Sequence, residues 1–265
     1  RAAVAELADY GVELVKIWVD GRHGTVPKIT PDVYRAIIDE AHSRGMQVVA
    51  HIGTANALAD AKDLIEAGVD GFAHTVRDRD IDADYMALVR RHPDVWTIPN
   101  LPGGRPSMDD LLWLSETLPA SAIETLREEI QRELAAGPSP SFSLQCRNLG
   151  KNHEAGMIIG LGTDSGGLTI PFYVSWTVHT EMRDMVSCGL SPMEAIVAAT
   201  SVNAGILRLD DLGMVAEGMN ASFVVLDENP LDDINNSTRI SQVYLRGVEV
   251  DRDLLKAKFN AASGD

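Results

Sequence analysis

Lys16, His51, His74 and Asp164 each stand in or at the end of a short apolar run: VELVKIWVD (Val12 to Asp20), MQVVAH (Met46 to His51), VDGFAH (Val69 to His74) and MIIGLGTD (Met157 to Asp164). One amine, two imidazoles and one carboxylate make a mixed nitrogen and oxygen donor set of the kind that suits zinc and its neighbours. Singly, each has a plainer explanation. A His closing an apolar strand is more often a hydrogen-bonded core residue, and an Asp before Ser-Gly-Gly is commonly a turn cap. Lys16 is different, because Leu14, Lys16 and Trp18 share one face of an extended strand. An ammonium buried between apolar neighbours is costly unless it is neutralised or paired. The expectation is a buried Lys16 that needs a partner. One chemical solution is reaction with carbon dioxide to a carbamate, an anionic bidentate oxygen ligand able to bridge two cations.

The elements that must position these groups alternate. Apolar, β-branched runs, with Val95 to Leu101 as a further one, are separated by helical stretches, which argues a parallel sheet covered by helices. Thr30-Pro31 starts a helix that Gly45 closes, and Ala57 to Ala67 repeats the scheme up to Gly68. Asp109 to Ala136 reads as amphipathic helix with a break at Pro119, ended by Gly137-Pro138-Ser139-Pro140, and another helix runs from about Ser143 to Gly156. Beyond Asp164 come helices at Val174 to Ser187 and Pro192 to Leu207. Two strand runs, Phe223 to Asp227 and Gln242 to Val250, precede a closing helix from Asp253 to Ala262. Five parallel strands fall three short of a (β/α)8 TIM barrel. The chain is thus either an open doubly wound sheet or a barrel whose first strands lie upstream of Arg1.

Composition narrows the partners. With 265 residues, 45% of them apolar, one substantial core is expected. Lys plus Arg number 23 against 39 Asp plus Glu, a formal charge of −16, which would repel nucleic acid and an anionic membrane alike. No run approaches a membrane-spanning length, and Arg1 to Glu6 lacks a signal-peptide pattern. Cys146 and Cys188, the two cysteines, stand outside any C-x-x-C. They argue against a disulfide framework and a cysteine zinc cage, and fit a reducing cytoplasm. With no initiator Met and an opening that reads as the middle of a helix, the chain is expected to be a piece of a longer one.

The set of strand-end residues resembles the amidohydrolase superfamily of metal-dependent hydrolases, in its imidazolonepropionase-like and Xaa-Pro-dipeptidase-like branch. Lys16 in VKIWVD matches that family's fourth-strand lysine, His51 in VVAHIGT its fifth-strand histidine, His74 in GFAHTV its sixth-strand histidine and Asp164 in GLGTDSG its eighth-strand aspartate. The likeness continues through His179-Thr180-Glu181-Met182, Gly189 to Ile196, Ala199-Thr200, Gly218 to Asp227 and Asn229-Pro230-Leu231. The resemblance implies a partial (β/α)8 barrel (strands 4 to 8) over residues 1–210, the C-terminal strands of a small β-sandwich over 211–252, and a closing helix and tail over 253–265. Two departures stand out. The family's first-strand His-x-His pair is absent, and Ser222 stands where the family usually has Asp.

What the resemblance implies chemically is a divalent metal centre, two zinc ions in the full-length protein, held by His51, His74, Asp164 and a carbamylated Lys16. Asp164 acts as general base for a metal-activated hydroxide attacking an amide-type C–N bond of a peptide, carbamate, urea or lactam. A small-molecule or dipeptide-like substrate follows, and the resemblance is compatible with a homo-oligomer. Candidate substrate contacts are Asp20, Arg22, His23, Arg77, Asn100 and His179, although a polar rim loop is commonly just solvated, and a helix-start role explains His179 as well. The alternatives are a deaminase or cyclic-imide hydrolase of the same superfamily, and a catalytically inactive fragment or metal-free binding module. A phosphate loop and a G-x-S-x-G nucleophile elbow are both missing from the sequence.

Overall fold

The computed structural model describes residues 1–101, 107–116, 118–166 and 176–263. By its internal contacts the chain forms two compact units, Arg1–Leu101 with Pro140–Gly162, and Pro102–Ser139 with Thr163–Asp265.

The first unit is built on five parallel strands in the order β1 to β5: Leu14–Val19, Gln47–Ile52, Gly71–Ala73, Trp96–Ile98 and Ile158–Ile159. Between them lie α1 (Ala2–Asp9, before β1), α2 (Pro31–Ser43), α3 (Ala57–Glu66), α4 (Ala83–Arg91) and, later in the chain, α7 (Pro140–Ala155). Strict alternation along β1 sends Val15, Ile17 and Val19 to one face, where they join Val48, Ala50, Ile52 and Phe72 in a core against Ile38 and Ala41 of α2, Leu64 and Ile65 of α3, and Leu88 and Val89 of α4. The opposite face carries the residues with chemistry. Helix starts and stops follow local rules: Pro31 occupies the first turn of α2, Asp82 caps α4 by accepting from the Tyr85 N–H, and Gly45 and Gly68 take positive φ just past the ends of α2 and α3. The helix α4 has no counterpart in the sequence reading, although Asp82 and the spacing of Tyr85, Leu88 and Val89 mark it.

In the second unit, the stretch 109–136 is two helices, α5 (Asp110–Leu114) and α6 (Ala120–Ala136), parted at Pro119. Next come α8 (Thr177–Ser187), α9 (Pro192–Val197), a π-turn at Ala198–Val202 and α10 (Asn203–Ile206). The first residues of the helix expected from Val174 lie outside the described residues. Ser191 opens α9 with a capping box to Glu194. An antiparallel sheet follows, of β6 (Phe223–Leu226), β7 (Ile240–Leu245) and β8 (Val248–Glu249). The run Gln242 to Val250, expected as one strand, is split into two by a turn at Arg246-Gly247, both at positive φ. Helix α11 spans Arg252–Ser263.

Two further expectations are corrected. Lys16 and Trp18 are exposed, not buried, because β1 lies at the edge of its sheet and the face they share is open there. Cys146 and Cys188 are both disulfide-bonded and not free thiols. Cysteine count and spacing in the sequence do not determine whether a thiol is paired. Among the described residues no helix is long and apolar enough to cross a membrane.

Candidate metal centre

The sheet register arranges the open face in layers. Lys16, Val49, Gly71, Trp96 and Ile158 stand opposite one another across the five strands, and Trp18, His51, Ala73 and Ile98 form the next layer toward the strand ends. Within that layer the Trp18 and His51 rings stack, centroids 3.7 Å apart and 16° from parallel. His74, one residue past β3, would by alternation join Phe72 on the helix-covered face. Instead its backbone turns left-handed (φ 85), pinned by its N–H donating to the Ile98 carbonyl at 2.8 Å. The imidazole thereby lands edge-on to His51, centroids 4.9 Å apart at 89°. Both histidines are 5% exposed.

Charged groups surround this pair. The Lys16 Nζ lies 5.9 Å from the Trp18 ring centroid, and the Arg22 guanidinium lies 5.5 Å from it. Arg77 donates from Nη2 to the Ile52 carbonyl at 3.2 Å and comes within 3.5 Å of His51 Nε2. Asp20 Oδ2 stands 3.8 Å from the same nitrogen, while Oδ1 accepts the Arg22 N–H at 2.8 Å. Gly53 makes room for that carboxylate, since a Cβ there would collide with it. Burial, then the charges of Arg77, His51 and Lys16, push the His74 imidazole down to about 3, so it is neutral with a lone pair to offer across the physiological range.

Of the sequence candidates, the structure gathers Lys16, His51, His74, Arg22 and Arg77 on this face. His23 takes a left-handed φ of 56 and places Nε2 3.2 Å from Thr54 Oγ1. Asn100, just past β4, is also left-handed (φ 48), and its buried Oδ1 has no hydrogen-bond partner among the described residues. Asp164 and His179 belong to the second unit. Asp164 is left-handed (φ 51) and is flanked by Thr163 and Ser165, whose hydroxyls bond at 2.8 Å. His179 has a packing account: its ring meets Trp113 edge-on with centroids 5.7 Å apart, and Nδ1 lies 3.0 Å from Ser237 Oγ. Burial lowers its pKa, Asp110 opposes that and Arg183 adds to it. The sequence places Asp20 on the rim beside Arg22 and His23, and the structure sets it next to His51; Trp18 was missed, although its alternation with Lys16 was the signal.

The chemistry of the donor set decides whether a metal fits. His51 and His74 supply two imidazoles on neighbouring strands, one of them held neutral by its surroundings. Among the described residues no three His, Cys, Asp or Glu side chains converge. Beyond the imidazoles this face offers the Asp20 carboxylate, 3.8 Å from His51 Nε2, and Lys16, whose amine would serve as an oxygen ligand only as a carbamate. Imidazole nitrogens with an oxygen donor beside them are the ligand types that zinc-like divalent ions take.

The chain belongs to the amidohydrolase family, matching it over residues 5–250. It is 31% identical over 214 residues to an uncharacterized protein of Mycobacterium tuberculosis, covering 75% of this chain and 48% of that one. A 75-residue stretch is 36% identical to an imidazolonepropionase of Streptomyces griseus, covering 28% and 18% of the two chains. Among solved structures, a Xaa-Pro dipeptidase with methionine bound in its active site superposes with a TM-score of 0.68 at 25% identity, over 94% of this chain and 57% of that one. The chain thus spans about half the length of the curated relatives it matches. A TIM-barrel-like α/β fold and a hydrolase are what these likenesses support.

Proposed function

We propose that this chain carries the lysine and two-histidine half of a metal-dependent hydrolase that cleaves amide-type C–N bonds of small or dipeptide-like molecules. The observation that carries the reading is the His51 and His74 pair, brought edge-on by the left-handed turn at His74, with Lys16 on the preceding strand. In this reading β1 to β5 correspond to strands 4 to 8 of a (β/α)8 barrel over residues 1–210, residues 211–252 belong to a β-sandwich and 253–265 close the chain.

His51, His74 and a carbamylated Lys16 would hold the ion, two zinc ions being the expected complement of the full-length protein. When bound, a divalent cation supplies water that ionises near neutrality and an electrophile for the scissile carbonyl. Asp164 takes the proton of the attacking water on its carboxylate and passes it to the departing nitrogen, giving an acid and an amine. Arg77, beside His51 Nε2, and Arg22, over Trp18, flank the space a substrate would enter. His23 and Asn100 complete the candidate substrate contacts on this face. A second reading, hydrolysis of a cyclic amide or imide, is favoured by the stretch similar to imidazolonepropionase.

The test is zinc content and hydrolysis of a Xaa-Pro dipeptide, an aryl urea and a lactam by the full-length protein. Asp164→Asn is expected to keep its zinc and lose turnover, and His51→Ala to lose zinc. Ordinary turnover by Asp164→Asn would refute the general-base role, and a folded protein without zinc affinity would refute the metal centre.

A further inference from the structure

Helix α7 buries a polar stripe. Gln145, Asn148 and Asn152 are 3%, 0% and 1% exposed, at the i, i+3 and i+7 spacing where a helix lying on an apolar sheet would carry aliphatic groups. Part of this stripe faces the backbone of residues 75–81, the segment directly after His74, which has neither helix nor strand pairing. Thr75, Val76 and Ile81 in that segment are buried, so its peptide groups need partners other than water. Asn148 supplies them: Nδ2 donates to the carbonyls of Val76 and Arg79, both at 2.8 Å, and Oδ1 accepts the Ile81 N–H at 3.0 Å. Both donor hydrogens and the acceptor of this one amide are used. Around it, Lys151 donates to the Ile81 carbonyl at 2.9 Å, Arg147 grips Asp80 at 3.0 and 3.1 Å, and Asp78 accepts the Leu58 N–H at 3.1 Å.

The segment so held carries Arg77 and begins immediately after His74, whose left-handed turn alone brings its ring to His51. We infer that Asn148 is a positioning residue of the metal centre: it touches no substrate or metal, and acts by fixing the path of residues 75–81 and thereby the orientation of His74 and Arg77. This rests on the function proposed above.

The experiment measures zinc affinity by calorimetry, together with hydrogen exchange of residues 75–81, in the wild-type chain and in Asn148→Asp. The substitution keeps the shape and the acceptor for Ile81 but turns the donor into an acceptor facing two carbonyls. Faster exchange across 75–81 and a loss of zinc affinity between about 10- and 100-fold are expected, the range that groups supporting metal ligands command. In a His74→Ala background the same substitution should change zinc affinity by less than about twofold, since the ligand through which it acts is gone. Affinity within about twofold of wild type in Asn148→Asp alone, or an equal loss with and without His74, would overturn the inference. If Asn148→Asp does not fold, Asn148→Ser, which keeps a hydroxyl donor, carries the same comparison, and the same two results would overturn the inference. A wild-type chain that binds no zinc would instead refute the metal centre itself, which separates the two failures.

Discussion

Gly71 and Trp96 face each other across β3 and β4, in the layer just beneath the two imidazoles, and they offer a sharp test of how the site's floor is built. A Cβ on Gly71 would fall within the Trp96 indole, so the ring lies over β3 only because that position has no side chain. Gly71 has no positive φ, so alanine is acceptable to the backbone and the whole effect should come from the ring. Trp96 is 3% exposed. An indole buries about 200 Å², which at ~25 cal/mol per Å² sets a ceiling of about 5 kcal/mol if it were expelled to solvent. Local overpacking that leaves it inside costs about 1–3 kcal/mol. Against this, Gly→Ala restricts the unfolded chain and returns about 0.4–1 kcal/mol. Gly71→Ala is therefore expected to destabilise by about 1 kcal/mol, with ~4 kcal/mol as the bound. Urea unfolding followed by circular dichroism measures it, and the decisive comparison is the same change in a Trp96→Leu background. There the clash is absent, and Gly71→Ala should be neutral or slightly stabilising. Equal losses in both backgrounds, or an unmoved urea midpoint in the first, would show that the ring does not depend on the missing side chain.

Two other outcomes follow from the structure. In the metal-free chain, His74 titrates at about 3 against about 6.5 when unfolded. The unfolded state therefore binds a proton first as pH falls. Stability is unaffected by this group above pH ~6.5 and declines between there and pH ~3, by up to about 5 kcal/mol. Burial of His179 acts in the same direction. His74→Leu should flatten that acid limb of the urea midpoint, and an equally steep limb in the variant would contradict the assignment. Unfolded without reductant, the chain should show no titratable thiol, because Cys146 and Cys188 are disulfide-bonded. Two reactive thiols per chain under those conditions would contradict it.

Much of the first unit was legible because its signals are local. Apolar runs bounded by glycine and helix-capping residues place β1 to β4 within a few residues, and the strand-end positions of Lys16 and His51 follow from the runs themselves. His74 is a different case. Its residue type and place were readable, yet its arrival beside His51 depends on a backbone turn held by the Ile98 carbonyl of another strand, which no run of residues around it encodes. The exposure of Lys16 was misjudged for a related reason. Burial depends on what lies across the face, and β1 is an edge. Asn148 gave no sign at all, since an asparagine inside a helix reads as a solvated position until the segment it serves, about seventy residues earlier, is seen beside it. The second unit's sheet was misread at Arg246-Gly247, where a tight turn interrupts a run that looks continuous by composition.

The parity of β1 and β2 divides labour between odd and even positions. Val15, Ile17, Val19, Val48, Ala50 and Ile52 anchor the helices, and the residues between them are left to chemistry. Substitutions at the latter can rework the site while the scaffold stands. A single residue inserted before His51 within its strand would do the opposite, rotating the imidazole in among the aliphatic groups and turning a valine or alanine toward the open face. Tolerance to exchange and intolerance to insertion are, at these two strands, the same fact.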